Sequence, residues 1–105
     1  MSDSEFHAVL PADQLREGGM RACELAGREI VLCRTADGLY ALDNICTHAE
    51  ARMTEGRFRG VRVVCPLHGA AFDVRDGRVL SGPAVQPLAV HAVRIVNGMI
   101  EVSVT

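Results

Sequence analysis

Two short Cys/His pairs constrain the fold of this chain more than any other feature. They are Cys46-Thr47-His48 and Cys65-Pro66-Leu67-His68, and together they give the pattern C-x-H-x16-C-x2-H. Each pair follows a segment rich in apolar residues, which predicts a loop at the end of a strand. Two such loops can close on one centre from opposite sides. The fold must therefore bring two distant loops together.

Short extended segments separated by turn dipeptides make up most of the chain. Asp-Gly and Asn-Gly between alternating apolar residues are strong hairpin signals, because both residues tolerate positive φ. Helix is expected only as one short turn after Pro11. The pattern predicts an all-β fold, a sandwich or small barrel. We place strands over residues 20–25, 29–34, 39–42, 61–64, 71–74, 79–80, 90–96 and 99–104.

The length of 105 residues predicts a single domain over residues 1–105. Residues 43–60 and 65–70 fit strands least well, and both Cys/His pairs lie there. Loops on a rigid scaffold are where sites usually lie, so we expect binding loops at about 43–60 and 65–84.

Composition argues against several classes of function. The net charge is −2, and Arg57-Phe58-Arg59, the most basic stretch, is typical of a solvated strand edge. Nucleic-acid binding is therefore not expected. The N-terminal segment lacks the basic and apolar regions of a signal peptide, and no apolar run approaches the ~20 residues of a spanning helix. We expect a soluble cytoplasmic protein, in which four cysteines indicate metal or redox chemistry before disulfides.

Three interpretations of the Cys/His pairs are compared. The first is that they are ordinary buried cysteines and surface histidines, although packing alone does not explain two similar pairs. The second is structural zinc, since two thiolates and two imidazoles suit tetrahedral Zn²⁺. A chain that is 49% hydrophobic does not need zinc in order to fold, however. The third is a [2Fe–2S] cluster on which two histidines replace two cysteines.

The two pairs resemble the two cluster-binding boxes of Rieske proteins. Residues 70–77, which follow the second pair, and the residues that flank the first pair are similar to those of bacterial Rieske-type ferredoxins. The similarity extends from about residue 5 to residue 104. It implies a Rieske-type small antiparallel β-sandwich with a cluster-binding subdomain of two loops.

The resemblance implies one [2Fe–2S] cluster, with Cys46 and Cys65 on one iron and His48 and His68 on the other. Two ferric ions, two sulfides, two thiolates and two neutral imidazoles carry no net charge. An all-cysteine cluster is two charges more negative, so mixed ligation raises the reduction potential into the range of roughly −150 to +300 mV.

The same comparison predicts a potential in the lower part of that range. High-potential Rieske proteins have an additional cysteine in each box, and this chain has Glu50, Ala51 and Leu67 in that neighbourhood. They also have a hydroxyl after the second box and a Tyr two residues later, where this chain has Ala70 and Phe72. Fewer hydrogen bonds to sulfur leave the reduced state less stabilised.

Four protein ligands leave neither iron with an open position, so we expect one-electron transfer and no small-molecule substrate. The resemblance implies a ferredoxin that carries electrons from an NAD(P)H-dependent flavoprotein reductase to the terminal oxygenase of an aromatic-ring hydroxylating dioxygenase system. It is then not itself an enzyme. The alternatives are the small subunit of another reductase, such as nitrite reductase, and the structural zinc module.

Further expectations concern residues around the boxes. Cys23 and Cys33 are expected to be buried hydrophobes outside the site, Met53 to pack beneath the first loop, and Gly69 to let the backbone approach a sulfide. His7 and His91 are interpreted as solvent-facing. The remaining assignments are an apolar patch around the histidines (Leu67, Pro83, Ala84) and candidates for steering a partner (Glu50, Arg52, Glu55, Arg57).

Overall fold

A computed structural model describes residues 5–47 and 50–104, and it confirms the all-β prediction. Two antiparallel sheets and two short 3₁₀ turns, Ala12–Gln14 and Met53–Glu55, make up the described structure. None of its helical turns has the length and apolar character needed to cross a bilayer. The strands are β1 (His7–Pro11), β2 (Met20–Leu25), β3 (Arg28–Arg34), β4 (Leu39–Asp43), β5 (Arg57–Arg59), β6 (Arg62–Val64), β7 (Ala71–Asp73), β8 (Val79–Ser81), β9 (Val90–Val96) and β10 (Met99–Ser103).

The larger sheet has six strands in the order β1-β10-β9-β4-β3-β2, and its two edge strands approach each other. Tight turns join its hairpins as the dipeptides predict: Asn97 and Gly98 both have positive φ, as do Ala26 and Gly27. The turn at Ala26 and Gly27 sets the register of this hairpin, in which Cys23 lies opposite Ile30 and Met20 opposite Cys33. Strand β1 was not predicted from the sequence.

The smaller sheet has four strands in the order β5-β6-β7-β8. The prediction that residues 43–60 fit strands poorly is wrong at Arg57–Arg59, which forms an edge strand of this sheet. The interpretation of this tripeptide as a solvated strand edge is confirmed. The region expected to bind the cluster is therefore more than two loops. It is a small sheet that carries the second loop between β6 and β7, whereas the first loop joins β4 to β5.

Strand β3 supplies both hydrophobic cores. Ile30 and Leu32 face a core formed within the six-stranded sheet, whereas Val31 and Cys33 face a second core shared with the four-stranded sheet. All four side chains are fully buried. A strand buried on both faces has a continuous apolar run in place of alternation, as residues 30–33 show.

Gly56 allows the end of the first loop to lie directly on β6. A Cβ at this position would collide with the carbonyl oxygen of Val64. Val64 is the last residue before Cys65, so this close backbone contact fixes the first loop beside the start of the second. Any larger residue at position 56 would separate the two loops.

A buried carboxylate closes the turn between β7 and β8. Asp73, whose side chain is 2% exposed, accepts hydrogen bonds from Nε and Nη2 of Arg75 at 3.0 and 2.8 Å, and Arg78 lies 3.6 Å away. The hydrogen bonds from Arg75 outweigh burial and hold the pKa of Asp73 at about 2, against the ordinary value of 3.8.

Asp73→Asn should lower the free energy of unfolding near neutral pH by roughly 1–3 kcal/mol, because it removes charge-assisted hydrogen bonds from a buried acceptor. The folded pKa is depressed, so this stabilisation is complete above the unfolded value and is lost as the pH falls from about 3.8 towards about 2. Urea titrations of both proteins across this window measure the difference.

The matched control is Asp76→Asn, since exposed Asp76 accepts only the backbone N–H of Arg78 and the asparagine oxygen can replace it. A destabilisation by Asp73→Asn that is as large near pH 2 as at pH 7 would contradict the assignment.

Candidate metal centre

The first Cys/His loop closes on itself through backbone hydrogen bonds. The N–H of Cys46 donates to the carbonyl of Ala51 at 2.9 Å, and Ile45 pairs with Arg52 as an isolated bridge. These bonds hold the two ends of the loop together. His48, a predicted ligand that follows Cys46 in the sequence, lies outside the described residues.

Asn44 fixes this loop from below. Its side chain is fully buried, and it accepts a hydrogen bond from the Thr54 N–H at 3.0 Å while its Nδ2 donates to Thr54 Oγ1 at 3.1 Å. Its backbone carbonyl accepts from Met53 at 2.7 Å, and its backbone N–H donates to Glu29 on β3. All four polar groups of Asn44 therefore hold the loop to itself and to the larger sheet. Met53 is fully buried beneath the loop, as expected.

Asp43 ties the root of the same loop to β3 and β9. Its carboxylate accepts from Arg28 at 2.9 Å and lies 2.8 Å from His91 Nε2. The interpretation of His91 as solvent-facing is wrong: its side chain has no exposed surface, because alternation along β9 turns it inward. Asp43 provides the polar partner that a buried imidazole requires. His7, the other histidine given this interpretation, is exposed as expected.

The second loop closes in the same way as the first. The N–H of Cys65 donates to the carbonyl of Ala70 at 2.7 Å, which continues the pairing of β6 with β7. Within the loop, His68 and Gly69 both have positive φ, 65° and 76°. A left-handed conformation is uncommon for a histidine, and the tight turn imposes it. At Gly69 the positive φ alone favours glycine, since a Cβ there would meet nothing.

Both loops place their cysteines at one point in the core. Cys46 and Cys65 are 4% and 2% exposed, and both pack in the same core. Burial raises the pKa of Cys65 and the neighbouring Cys46 raises it further, whereas the backbone N–H of Leu67 opposes the rise. Two thiols from distant parts of the sequence are thus held as a pair.

His68 follows Cys65 in the second loop and is exposed at the surface. Within residues 5–47 and 50–104, no three side chains of His, Cys, Asp or Glu meet closely enough to hold a single metal ion. A two-iron centre does not need such a group, because its cysteines and histidines bind different irons. The donor set present, two paired thiols and a nearby imidazole, suits a [2Fe–2S] cluster with mixed ligands.

A third loop, residues 82–87, covers the cysteine pair. Thr47 Oγ1 donates to the carbonyl of Gln86 at 2.7 Å and so joins this loop to the first one. The assignment of Ala84 to an exposed patch is wrong: it is 3% exposed and packs in the same core as Cys46 and Cys65. Its neighbour Val85, 83% exposed, is outside instead.

The remaining cysteines, Cys23 and Cys33, lie on strands outside the two loops. All four cysteines are free thiols, and burial raises the pKa of Cys33 to about 12 and also that of Cys23. Cys33 is fully buried as expected, whereas Cys23 is only half-buried. Neither thiol has the electropositive surroundings of a reactive cysteine.

Comparison with known proteins agrees with the fold. Residues 5–93 match the family described as the Rieske [2Fe-2S] domain. The ferredoxin component of the naphthalene 1,2-dioxygenase system of Pseudomonas putida is 38% identical over 92 residues, 88% of each chain. The anthranilate 1,2-dioxygenase ferredoxin subunit of Burkholderia cepacia is 34% identical over 101 residues, 96% of this chain and 94% of that one. The chain belongs to the Rieske [2Fe–2S] family, and these homologues are ferredoxin components of aromatic dioxygenase systems.

Solved structures give the same result. The ferredoxin of carbazole 1,9a-dioxygenase from Nocardioides aromaticivorans IC177 superimposes with a TM-score of 0.91 at 35% identity, covering 97% of this chain and 100% of that one. A chain from a complex of oxygenase and ferredoxin in carbazole 1,9a-dioxygenase gives 0.89 at 31% identity over 96% and 94%. A putative NADH-dependent nitrite reductase small subunit from Mycobacterium tuberculosis gives 0.86 at 25% over 99% and 98%.

Asn44→Ala should lower the free energy of unfolding by roughly 1–3 kcal/mol, because the Thr54 N–H and hydroxyl lose their buried partners. Urea denaturation followed by circular dichroism measures this change. The matched control is Thr54→Ser, which retains both polar groups and should cost much less. An Asn44→Ala protein as stable as the wild type would show that the loop does not depend on this clamp.

Proposed function

We propose that this protein is the ferredoxin of an aromatic-ring hydroxylating dioxygenase system. It carries single electrons from an NAD(P)H-dependent flavoprotein reductase to the terminal oxygenase. The observation that carries the proposal is the pair of buried thiols that two similarly closed loops hold together, in a chain whose homologues are such ferredoxins. The whole chain, residues 1–105, serves as one electron-carrying domain.

The proposed ligands are Cys46 and Cys65 for one iron and His48 and His68 for the other. A [2Fe–2S] cluster with these ligands accepts and releases one electron. The two cysteines must lose their protons to bind iron. Burial raises the pKa of Cys65 and so keeps that thiol protonated until metal arrives. Binding should therefore release protons.

The surface near the ligands suits brief contact with another protein. His68 is exposed, its neighbour Leu67 is 47% exposed, and Val85 in the loop of residues 82–87 is 83% exposed. A small apolar surface favours weak docking of the kind that a shuttle between two partners requires. We place the protein in the cytoplasm, where reducing conditions keep free thiols available for iron.

Replacing a proposed ligand should abolish the cluster while leaving the fold intact. Purified wild-type protein should contain iron and acid-labile sulfide and show a red-brown colour that dithionite bleaches partly. Cys46→Ser, Cys65→Ser, His48→Ala and His68→Ala should each lose this spectrum, because each removes one of four ligands. Absorption, iron and sulfide analysis measure the loss, and circular dichroism checks the fold.

Cys23→Ser is the matched control, since Cys23 lies outside the paired thiols, and it should retain the full spectrum. Loss of colour in this control would contradict the ligand set. A colourless wild-type protein that contains zinc would favour the structural zinc module.

The nitrite reductase small subunit is the second candidate, because one such protein shares the fold over nearly the whole chain. The two functions differ in assembly. A shuttle purifies alone and, once reduced, transfers its electron to a terminal oxygenase in a single turnover. A small subunit purifies with its large subunit. Co-purification together with failure to reduce the terminal oxygenases of the naphthalene 1,2-dioxygenase and carbazole 1,9a-dioxygenase systems would favour the reductase subunit.

The midpoint potential should lie below about +100 mV, in the lower part of the Rieske range. Ala70 and Phe72 are fully buried and carry no hydroxyl that could donate to a sulfur. Ala70→Ser should raise the potential by tens of millivolts, because an added donor stabilises the reduced state. Potentiometric titration measures both values.

Ala71→Ser is the matched control: Ala71 is equally buried, but its side chain lies outside the core that holds the cysteine pair. A midpoint above +100 mV, or an equal shift in both variants, would be inconsistent with this explanation of the potential.

A further inference from the structure

The β5–β6 hairpin carries three arginines on its outer face. Side chains alternate along a strand, so Arg57 and Arg59 share one face of β5, and Arg62 lies directly opposite Arg59 on β6. All three are exposed, whereas Phe58 and Val63 between them face the core. This set (Arg57, Arg59, Arg62) is called the basic face below.

The arginines of the basic face differ from most others in the chain. Five other arginines are each bound to a carboxylate: Arg28, Arg52, Arg75, Arg78 and Arg94. Within the described ranges, the side chains of the three arginines on the basic face make no hydrogen bond or ion pair. Like charges directly opposite each other destabilise a strand pair, so folding alone does not explain Arg59 opposite Arg62.

The basic face continues into the candidate metal centre. Arg57 lines a groove of about 490 Å³ together with Cys65, Pro66 and Gly69 of the second loop. Glu55 is the carboxylate that lines the same groove. A partner that contacts the second loop would therefore also meet the arginines, which extend from the groove to the turn of the hairpin.

Charge is distributed unevenly over the chain. Residues 44–89, which contain the loops and the smaller sheet, have six arginines and four carboxylates, a net charge of +2. The rest of the chain has five arginines and nine carboxylates, a net charge of −4, which together give the total of −2. Such a separation orients a protein as it approaches a charged partner. The positive end here is the end that holds the paired cysteines.

Arginine carries all the permanent positive side-chain charges, since the chain contains no lysine. Guanidinium groups bind carboxylates through two parallel hydrogen bonds and are less strongly hydrated than ammonium groups. A basic face of this kind fits an acidic protein surface. It does not fit nucleic acid, because the net charge of the chain is negative.

We propose that the basic face docks against an acidic surface of the terminal oxygenase, beside the exposed second loop. This inference rests on the proposed function. A similar chain has been solved in a complex of oxygenase and ferredoxin, so the occupant to which we commit is the oxygenase. Arg52, a candidate for steering from the sequence, does not contribute, because it is bound at 2.6 Å to Glu29. Arg59 and Arg62, which were not candidates, take its place.

The test compares two double variants of the cluster-loaded protein. Arg59→Gln/Arg62→Gln removes two charges from the basic face, and Arg16→Gln/Arg21→Gln removes two exposed charges from the six-stranded part. Two terminal oxygenases are first mixed with the reduced wild-type protein in stopped flow: that of the naphthalene 1,2-dioxygenase system of Pseudomonas putida and that of the carbazole 1,9a-dioxygenase of Nocardioides aromaticivorans. The oxygenase that the wild type reduces is then the probe for both variants. Both variants should retain the wild-type spectrum and midpoint potential.

Arg59→Gln/Arg62→Gln should lower the second-order rate constant at least about fivefold at low ionic strength, with the difference disappearing at high salt. The control pair should change it less than about twofold. Equal slowing by both pairs, or slowing by neither, overturns the proposal. If the variant is reduced more slowly by the flavoprotein reductase but transfers its electron to the oxygenase at the wild-type rate, the choice of the oxygenase as the partner is overturned. If the wild type reduces neither oxygenase, the proposed function fails, and this inference fails with it.

Discussion

The burial of β3 on both faces is the constraint on which the rest of the structure depends. One face completes the core of the larger sheet, and the other receives the core beneath the cysteine pair. The first loop is then fastened to this same strand, through the backbone of Asn44 and the side chain of Arg52, both of which bond to Glu29. Because β3 cannot move without opening two cores, it serves as the fixed base from which the loops are positioned.

The sequence predicts those parts of the fold that local chemistry decides. The Asn97-Gly98 turn requires positive φ at both positions, and such turns define hairpins without reference to distant residues. The paired thiols follow from chemistry in the same way, since two similar Cys/His pairs have few other uses. Both results depend on short stretches of chain and on residue types with narrow roles.

Other features depend on contacts between distant segments, which no local pattern shows. The sequence does not distinguish Asn44 from an ordinary loop asparagine, because its hydrogen-bond partner Thr54 lies ten residues later. His91 was predicted to be solvent-facing because its polar partner, Asp43, lies 48 positions earlier and gives no local signal of a buried histidine. Ala84 was expected in the apolar patch but is buried, because packing in the core of the cysteines decides which of two adjacent apolar residues turns inward. The sequence also leaves open which strands pair in the second sheet, since its three-residue strands give little periodicity.

A backbone hydrogen bond from its cysteine closes each loop, but the two loops differ in how their side chains are used. Side chains anchor the first loop, through Asn44 and Thr47, whereas a backbone hydrogen bond from Cys65 to Ala70 closes the second. A loop fixed by main-chain groups keeps its shape when its side chains change. Position 67 is therefore open to evolutionary drift and to engineering: a lineage could adapt its recognition of a new partner there without reshaping the pocket behind it.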